Sequence, residues 1–368
     1  MKNKTILIAN TPSHYRKEIY KKLSELGVDF YFSDLDTSIK SMDVKELRSK
    51  AEIGNYLGKE GQVHFLQGAV RKSLQYDSII AVGNFKSIHV WLILFISIFS
   101  RKKIYLWTHA WYGRETFFKK LLKRIYFKLS EQVLTYNEKA KELMVNEGFE
   151  ESIITPIYNS LASDFQKEVR HHLLASNEIK LGYEFNRSRP YFLFIGRITD
   201  NKKLSLVLDA MKLIEDKSFD FRVVGPEVDN GFLRKKALEL GLADRVKIEG
   251  AIYDEAVLGK FIGNGIACIA PGNVGLTAIH SMTFGTPVIT HSCYELQMPE
   301  VEAVINGQTG CLFDYGSTRS LAECMIKILR YNQREYEAIS RNCMNLIDSK
   351  WNTENQIKIF KRILGVTS

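Results

Sequence analysis

Residues 267–291 read ACIAPGNVGLTAIHSMTFGTPVITH. A run of four apolar residues ends in a glycine-punctuated loop, an amphipathic segment follows, and FGT turns into a second apolar run, PVIT. Short continuous apolar runs bounded by turn residues are the pattern of strands buried on both faces, and strand, helix, strand in that order predicts a parallel sheet. The helix is expected to open at Gly275, Leu276 and Thr277, where backbone N–H groups have no carbonyl one turn earlier to bond. Such a helix start attracts anions, phosphate above all.

Upstream, residues 192–210 read FLFIGRITDNKKLSLVLDA. An apolar strand ends in Gly196 and Arg197, and Lys202 follows five residues later on the threshold of a helix. A guanidinium fork and a lysine point charge at a helix start match a diphosphate without a metal, although singly both residues also read as solvated loop cations. Gly225 ends the next strand, and Gly250 to Asp254 form a loop containing Ile252. Downstream, EAVINGQTG begins at Glu302 and leads into the apolar run CLF. These pieces, in this order, resemble the nucleotide-sugar site of GT-B glycosyltransferases, in particular the retaining family four, or glycosyl transferases group 1. The resemblance implies donor-binding roles for Gly196, Gly225, Ile252, Gly275, Leu276, Thr277, His280 and Glu302, and catalytic roles in diphosphate stabilisation for Arg197 and Lys202. It is broken at one place: the family carries two glutamates eight positions apart, one near the sugar and one on the ribose, where this chain has Gly272 and His280. A neutral imidazole can still bond a ribose hydroxyl. Of the nearby acids Glu295, Glu300 and Glu302, the register favours Glu302 as the sugar contact.

The first half alternates strand and helix patterns in the same way: TILIA, DFYF, SIIAV, KIYLWT and QVLTY with helical stretches between. The expected fold is α/β of the GT-B kind, two facing Rossmann-like domains with parallel sheets and a C-terminal crossover helix. The expected boundaries are residues 1–175 for an N-terminal acceptor and membrane-facing domain, 176–348 for the donor domain, and 349–368 for a helix returning to the first. Residues 37–76, polar and without a clear period, read as an insertion.

After KIYLWT comes His109, at the C-terminal end of a parallel strand, where open α/β sheets place ligands. The resemblance implies that His109 contacts the donor sugar, with Glu115 as the acid best placed nearby to act as base or acceptor clamp. The loop after the first strand offers His14 and Arg16 to the acceptor side. Asp34 and Asp36 have the DxD spacing of metal-dependent glycosyltransferases, but in this setting they read as a plain loop. No metal and no cofactor is expected, the nucleotide diphosphate sugar, UDP- or GDP-linked, being substrate. The five cysteines lack CxxC spacing and clustered histidines, so neither a metal site nor a disulfide framework is expected.

The formal charge is +9, and residues 101–128 hold nine Lys/Arg against one acid, Glu115, so nearly all the excess is local. Within it, residues 117–129 read as a helix with Phe118, Leu121, Leu122, Ile125 and Leu129 on a core face and Lys119, Lys120, Lys123, Arg124 and Lys128 on a solvated one. That basic face is expected to dock on an anionic membrane; no recognition motif or base-stacking platform suggests nucleic acid. The N-terminal apolar run is too short for a signal peptide, and residues 88–99 reach about half a bilayer span. The composite expectation is a cytoplasmic enzyme, peripheral on the inner face of the plasma membrane. It would move a sugar from a nucleotide diphosphate donor to a lipid-linked or polysaccharide acceptor in O-antigen, capsule or lipopolysaccharide synthesis, with retention. The competing readings are a nucleotide-sugar 2-epimerase of the same fold and a non-catalytic nucleotide-sugar-binding scaffold.

Overall fold

A computed structural model describes residues 4–34, 40–59, 62–179, 189–228 and 231–366. They form two units, Met1–Ala162 with Thr353–Ser368, and Ser163–Asn352.

The first unit is built on β1 (Thr5–Ala9), β2 (Val28–Ser33), β3 (Ala51–Gly54), a small antiparallel pair β4 (Tyr56–Leu57) and β5 (Phe65–Leu66), then β6 (Ser78–Val82), β7 (Lys103–Thr108), β8 (Gln132–Thr135) and β9 (Ile154–Pro156). Its main sheet is parallel and seven-stranded among the described residues, in the order β3-β2-β1-β6-β7-β8-β9. Leu7 of β1 lies level with Phe30 of β2 and Ile80 of β6. Because successive side chains point to opposite faces, Ile6 and Ile8 enter a core with Val90, Ile93 and Phe127, while Leu7 and Ala9 enter another with Ile19, Leu23 and Phe360. Phe360 belongs to the Thr353–Leu364 helix and meets Trp107 edge-on at 5.4 Å, so the C-terminal helix completes this unit. Burying that ring is worth about 1.5–3 kcal/mol.

The stretch 37–76 contains more than an insertion. Ala51–Gly54 pairs with β2 as the edge strand, and its half-exposed residues lack the apolar run that marks the central strands. Asp34 accepts from the Tyr56 N–H at 2.8 Å; Asp36 lies outside the described residues.

The second unit is built on β10 (Tyr191–Ile195), β11 (Asp220–Val224), β12 (Val246–Gly250), β13 (Ala267–Ala270), β14 (Val288–His291) and β15 (Gly310–Phe313). They form a parallel sheet ordered β12-β11-β10-β13-β14-β15. The Ser163–Ala175 helix lies in this unit rather than the first, where the expected boundary had put it. The reason is Arg170, whose buried guanidinium donates to the Thr283 carbonyl at 3.0 Å and to Asp348 at 2.8 Å. One disulfide joins Cys311 on β15 to Cys324 on the Thr318–Leu329 helix, a pairing the cysteine spacing, read as giving no disulfide framework, had not suggested.

In both sheets the strand order reverses beside the first strand of the unit, between β1 and β6 and between β10 and β13. Loops leaving the carboxyl ends of strands at such a reversal splay apart and leave a crevice, the usual ligand position.

The Phe117–Lys128 helix is turned from the expected orientation. Lys123 is buried with Tyr126 and Phe127, whereas Phe117 and Phe118 are each 76% exposed and Leu121, Leu122 and Ile125 about half exposed. Its basic face is also partly neutralised, since Lys120 and Arg124 both pair with Glu147. Trp91 of the Ile88–Ile98 helix packs on Tyr126 at 5.0 Å, and that neighbouring helix exposes Leu92, Phe95 and Ile98.

Candidate functional site

In the second unit the loops after β10, β11 and β13 converge. Gly196 and Gly225 have φ of +143° and +155°, and a Cβ on Gly225 would sit 1.9 Å from the Gly196 carbonyl oxygen. Only glycines let the two strand ends approach so closely. Arg197 follows, exposed, and Lys202 ends the Asp200–Lys202 turn, half-buried, its Nζ donating to Asn273 Oδ1 at 2.8 Å. Burial, and then the neighbouring Arg197 charge, push the Lys202 ammonium below the usual lysine range. Among the described residues neither cation has a carboxylate partner.

Beneath them the Leu276–Thr283 helix begins. Gly275 is its N-cap and supplies no capping side chain, leaving the first-turn N–H groups of Leu276 and Thr277 available. The preceding N–H, of Val274, is taken by Gln297 Oε1 at 2.7 Å, while Gln297 Nε2 donates to Thr290 Oγ1 and to the His291 carbonyl, both at 2.8 Å. Thr277 Oγ1 donates to the Ile195 carbonyl at 3.3 Å, tying the helix start to β10. Arg170 bonds the carbonyl at the helix's other end, so both termini are held.

The broken glutamate pair has a structural explanation. A Cβ on Gly272 would lie 2.2 Å from the Asn201 carbonyl oxygen and 2.9 Å from Lys202 Cα. The turn that carries Lys202 occupies the space a side chain would need. At the second position His280 Nε2 donates to Glu255 Oε1 at 2.7 Å, so a carboxylate stands there after all, brought by the Glu255–Gly263 helix that follows the Ile252 loop. Glu302, favoured by register, pairs with Lys350 at 3.6 Å, whereas the buried Glu300 has Oε2 4.0 Å from where a Cβ of Gly275 would be. Glu300 therefore stands beside the helix start.

In the first unit a cavity of about 450 Å³ opens at the ends of β1, β6, β7 and β8, lined by Asn10, Arg16, Asn84, Trp107, His109 and Tyr136 among others. Thr108 shapes its floor, donating to the Gly83 carbonyl at 2.7 Å and accepting from the Ala110 N–H at 3.1 Å. Ala110 takes a left-handed φ of 52°, a strained conformation for a residue with a Cβ, and this turns the chain back just after His109. The His109 ring lies against Tyr136 at 4.6 Å, its Nδ1 buried without a partner. Burial, then the charges of Arg16 and Lys123, lower its pKa to about 4, so the imidazole is neutral near pH 7.

Glu115 has a different task from the one expected. Its side chain is 4% exposed and accepts from Lys123 Nζ at 2.7 Å and from the N–H groups of Tyr112 and Gly113 at 3.0 and 2.9 Å. Lys123 Nζ also donates to the Ala110 carbonyl at 2.7 Å. The pair clamps the His109 loop, and Lys123, read from sequence as a surface cation, is what the loop is wrapped around. Arg16 lines the cavity; His14 is exposed and does not. Glu255, Gln297, Lys123 and Tyr136 were missed because their roles come from packing between elements far apart in sequence.

Among the described residues no cluster of three or more His, Cys, Asp or Glu is arranged to hold a metal, and no helix is long and apolar enough to cross a membrane.

Residues 189–331 match the family described as Glycosyl transferases group 1. An uncharacterised 41.2 kDa protein in the cps region of Klebsiella pneumoniae is 22% identical over 211 residues, 55% of this chain and 53% of that protein. The chain thus spans about half the length of that curated relative. HepE of Anabaena, solved with UDP, superposes with a TM-score of 0.73 at 15% identity, over 99% of this chain and 100% of HepE. The lipopolysaccharide outer core galactosyltransferase WaaB superposes with a TM-score of 0.69 at 14% identity, over 99% and 100% of the two chains. The two parallel switch-point sheets thus give the chain the fold of the GT-B glycosyltransferases, and residues 189–331 of its second unit match the Glycosyl transferases group 1 family.

Proposed function

We propose that this chain transfers a sugar from a nucleoside diphosphate sugar to a saccharide acceptor of cell-surface glycan assembly, with retention of configuration. The observation that carries the reading is the pair of cations, Arg197 and Lys202, without carboxylate partners beside the uncapped start of the Leu276–Thr283 helix. Positive charge collected without a counter-charge is matched to the negative charge that builds on a departing diphosphate. The UDP seen in HepE, the galactosyl transfer in WaaB's description and the cps setting of the Klebsiella relative support the substrate class. Glu255 with His280 is the candidate contact for the ribose hydroxyls, and Glu300 for the sugar.

Retention is supported by what the first unit lacks. An inverting enzyme needs a base to take the acceptor proton, yet no Asp or Glu is among the described residues lining the cavity, and a histidine of pKa about 4 is a poor base. The departing diphosphate oxygen is then left to take the hydroxyl proton as the new glycosidic bond forms on the face it vacates. Incubation with a panel of UDP- and GDP-sugars and a lipid-linked saccharide should release nucleoside diphosphate only when acceptor is present, with the donor's anomeric configuration kept in the product by proton NMR. Fast sugar turnover without acceptor would favour a 2-epimerase instead.

The second part of the proposal is attachment to an anionic membrane at its inner face through the exposed apolar side of Phe117–Lys128. Each large apolar residue newly buried in lipid contributes about 1 kcal/mol or more, and each nearby cation about 1 kcal/mol. Replacing Phe118, Leu121 and Leu122 with Ser should reduce flotation with anionic liposomes by more than about 100-fold. Lys119→Gln with Lys128→Gln should cost about 30-fold. Unchanged flotation in both would refute the membrane claim.

A further inference from the structure

The cavity of the first unit holds an arginine with no acid to answer it. Arg16 sits on the His14–Arg16 turn after β1, its Nη2 donating to the Tyr136 hydroxyl at 2.6 Å and its guanidinium lying 4.9 Å from the Trp107 ring centroid. Its Nε is buried and has no hydrogen-bond partner. The other cation of the lining, Lys123, is already matched by Glu115, and His109 contributes a neutral ring with an unpartnered Nδ1. No Asp or Glu is among the described residues that line the space.

A guanidinium keeps its charge at every accessible pH and presents its donors in a fixed fork suited to two oxygens of one anion. Stacking on Trp107 and the bond to Tyr136 fix the plane of that fork in advance, so little side-chain freedom is lost when an anion arrives. Volume and lining suit a small polar ligand: about 450 Å³, with Asn10 and Asn84 as amide partners and Tyr112 as an aromatic wall for a sugar ring.

We propose that the acceptor bears an anionic group, a phosphate or a carboxylate, close to the hydroxyl that receives the sugar, and that Arg16 binds it. The inference rests on the transfer reading and makes Arg16 the residue that selects charged acceptors over neutral ones. It assigns the cavity's selectivity to a charge-assisted fork and leaves the donor's diphosphate to the second unit.

The test is calorimetric titration of the full chain with three probes, glucose 1-phosphate, glucuronate and glucose. It is run in the Arg197→Ala/Lys202→Ala background, so that the phosphate probe is not held at the donor site. At least one anionic sugar should bind about tenfold or more tighter than glucose, and which one does identifies phosphate or carboxylate as the group read. Adding Arg16→Gln should remove that preference, and Arg16→Lys should retain only part of it. Equal affinity for the three probes, binding by none of them, or a preference that survives Arg16→Gln overturns the proposal. Should Arg16→Gln not fold, competition of the preferred probe by inorganic phosphate or acetate, but not by glucose, decides the matter in the parent background. Nucleoside diphosphate binding to the unmutated chain separates the two claims: if it holds while the anion preference fails, only the acceptor inference falls.

Discussion

Lys202→Ala is expected to lower kcat/KM for sugar transfer by about 10²- to 10³-fold, the usual cost of losing one donor aimed at a developing oxyanion. The size follows from how the lysine is held. Its Nζ is fixed by a neutral amide, Asn273 Oδ1, rather than by a carboxylate, so no counter-ion offsets its charge before the donor arrives. Half-buried and beside Arg197, the ammonium carries a desolvation and repulsion cost, visible in its lowered pKa, that a diphosphate relieves. Arg197→Ala should cost less, since that residue is exposed and screened. The double variant should fall short of the product of the two, because both groups act on one anion. Initial rates at several donor concentrations check this; a loss under about tenfold for Lys202→Ala would mean that the diphosphate is held elsewhere.

Glu115→Ala is expected to destabilise the first unit by about 3–5 kcal/mol, because it strands the buried Lys123 ammonium and frees two N–H groups of the loop. A melting shift of roughly 10 °C in the transition of that unit corresponds to this range. Glu115→Gln combined with Lys123→Met removes both charges and should recover most of the loss. The two members of the pair report opposite directions. Burial alone would raise the Glu115 carboxyl, but Lys123 and the Tyr112 N–H outweigh it and hold it below the ordinary range, whereas burial depresses Lys123 despite Glu115. For the acid side of the profile the carboxylate decides, since lysine stays protonated there. Its folded pKa lies below the unfolded value of about 4.3, so its contribution is complete above that pH and lost as pH falls through the folded value. Melting curves of parent and Glu115→Ala from pH 7 to pH 3 should therefore converge toward acid. A melting temperature unchanged by Glu115→Ala at pH 7 would show that the loop is held by other contacts.

The parts legible from sequence were those in which one short segment determines its own environment. The central strands are buried on both faces and so read as unbroken apolar runs, and the glycines at 196, 225 and 275 mark the strand ends and the helix start. What could not be read depended on partners far along the chain. Edge strand β3 is half-exposed and carries no run. The amphipathic pattern of residues 117–128 has two faces, and nothing local says which one the sheet covers; Glu115 draws Lys123 inward and leaves Phe117 and Phe118 outside. The missing carboxylate at position 280 returns as Glu255 from the helix beside it, and the absent side chain at Gly272 makes room for the Lys202 turn. The broken glutamate pair is thus accompanied by a local rearrangement, the Lys202 turn filling the space at Gly272 and Glu255 standing beside His280.

The most direct measurement of the central claim is calorimetric titration of UDP, GDP, ADP and dTDP into the chain and into its Arg197→Ala/Lys202→Ala variant, with EDTA throughout. At least one nucleoside diphosphate should bind in EDTA and lose about 30-fold or more of its affinity in the variant, two charge-assisted contacts at roughly 1 kcal/mol or more each. Binding by none of them, binding that requires a divalent cation, or equal affinity in the variant would contradict the diphosphate site described for the second unit.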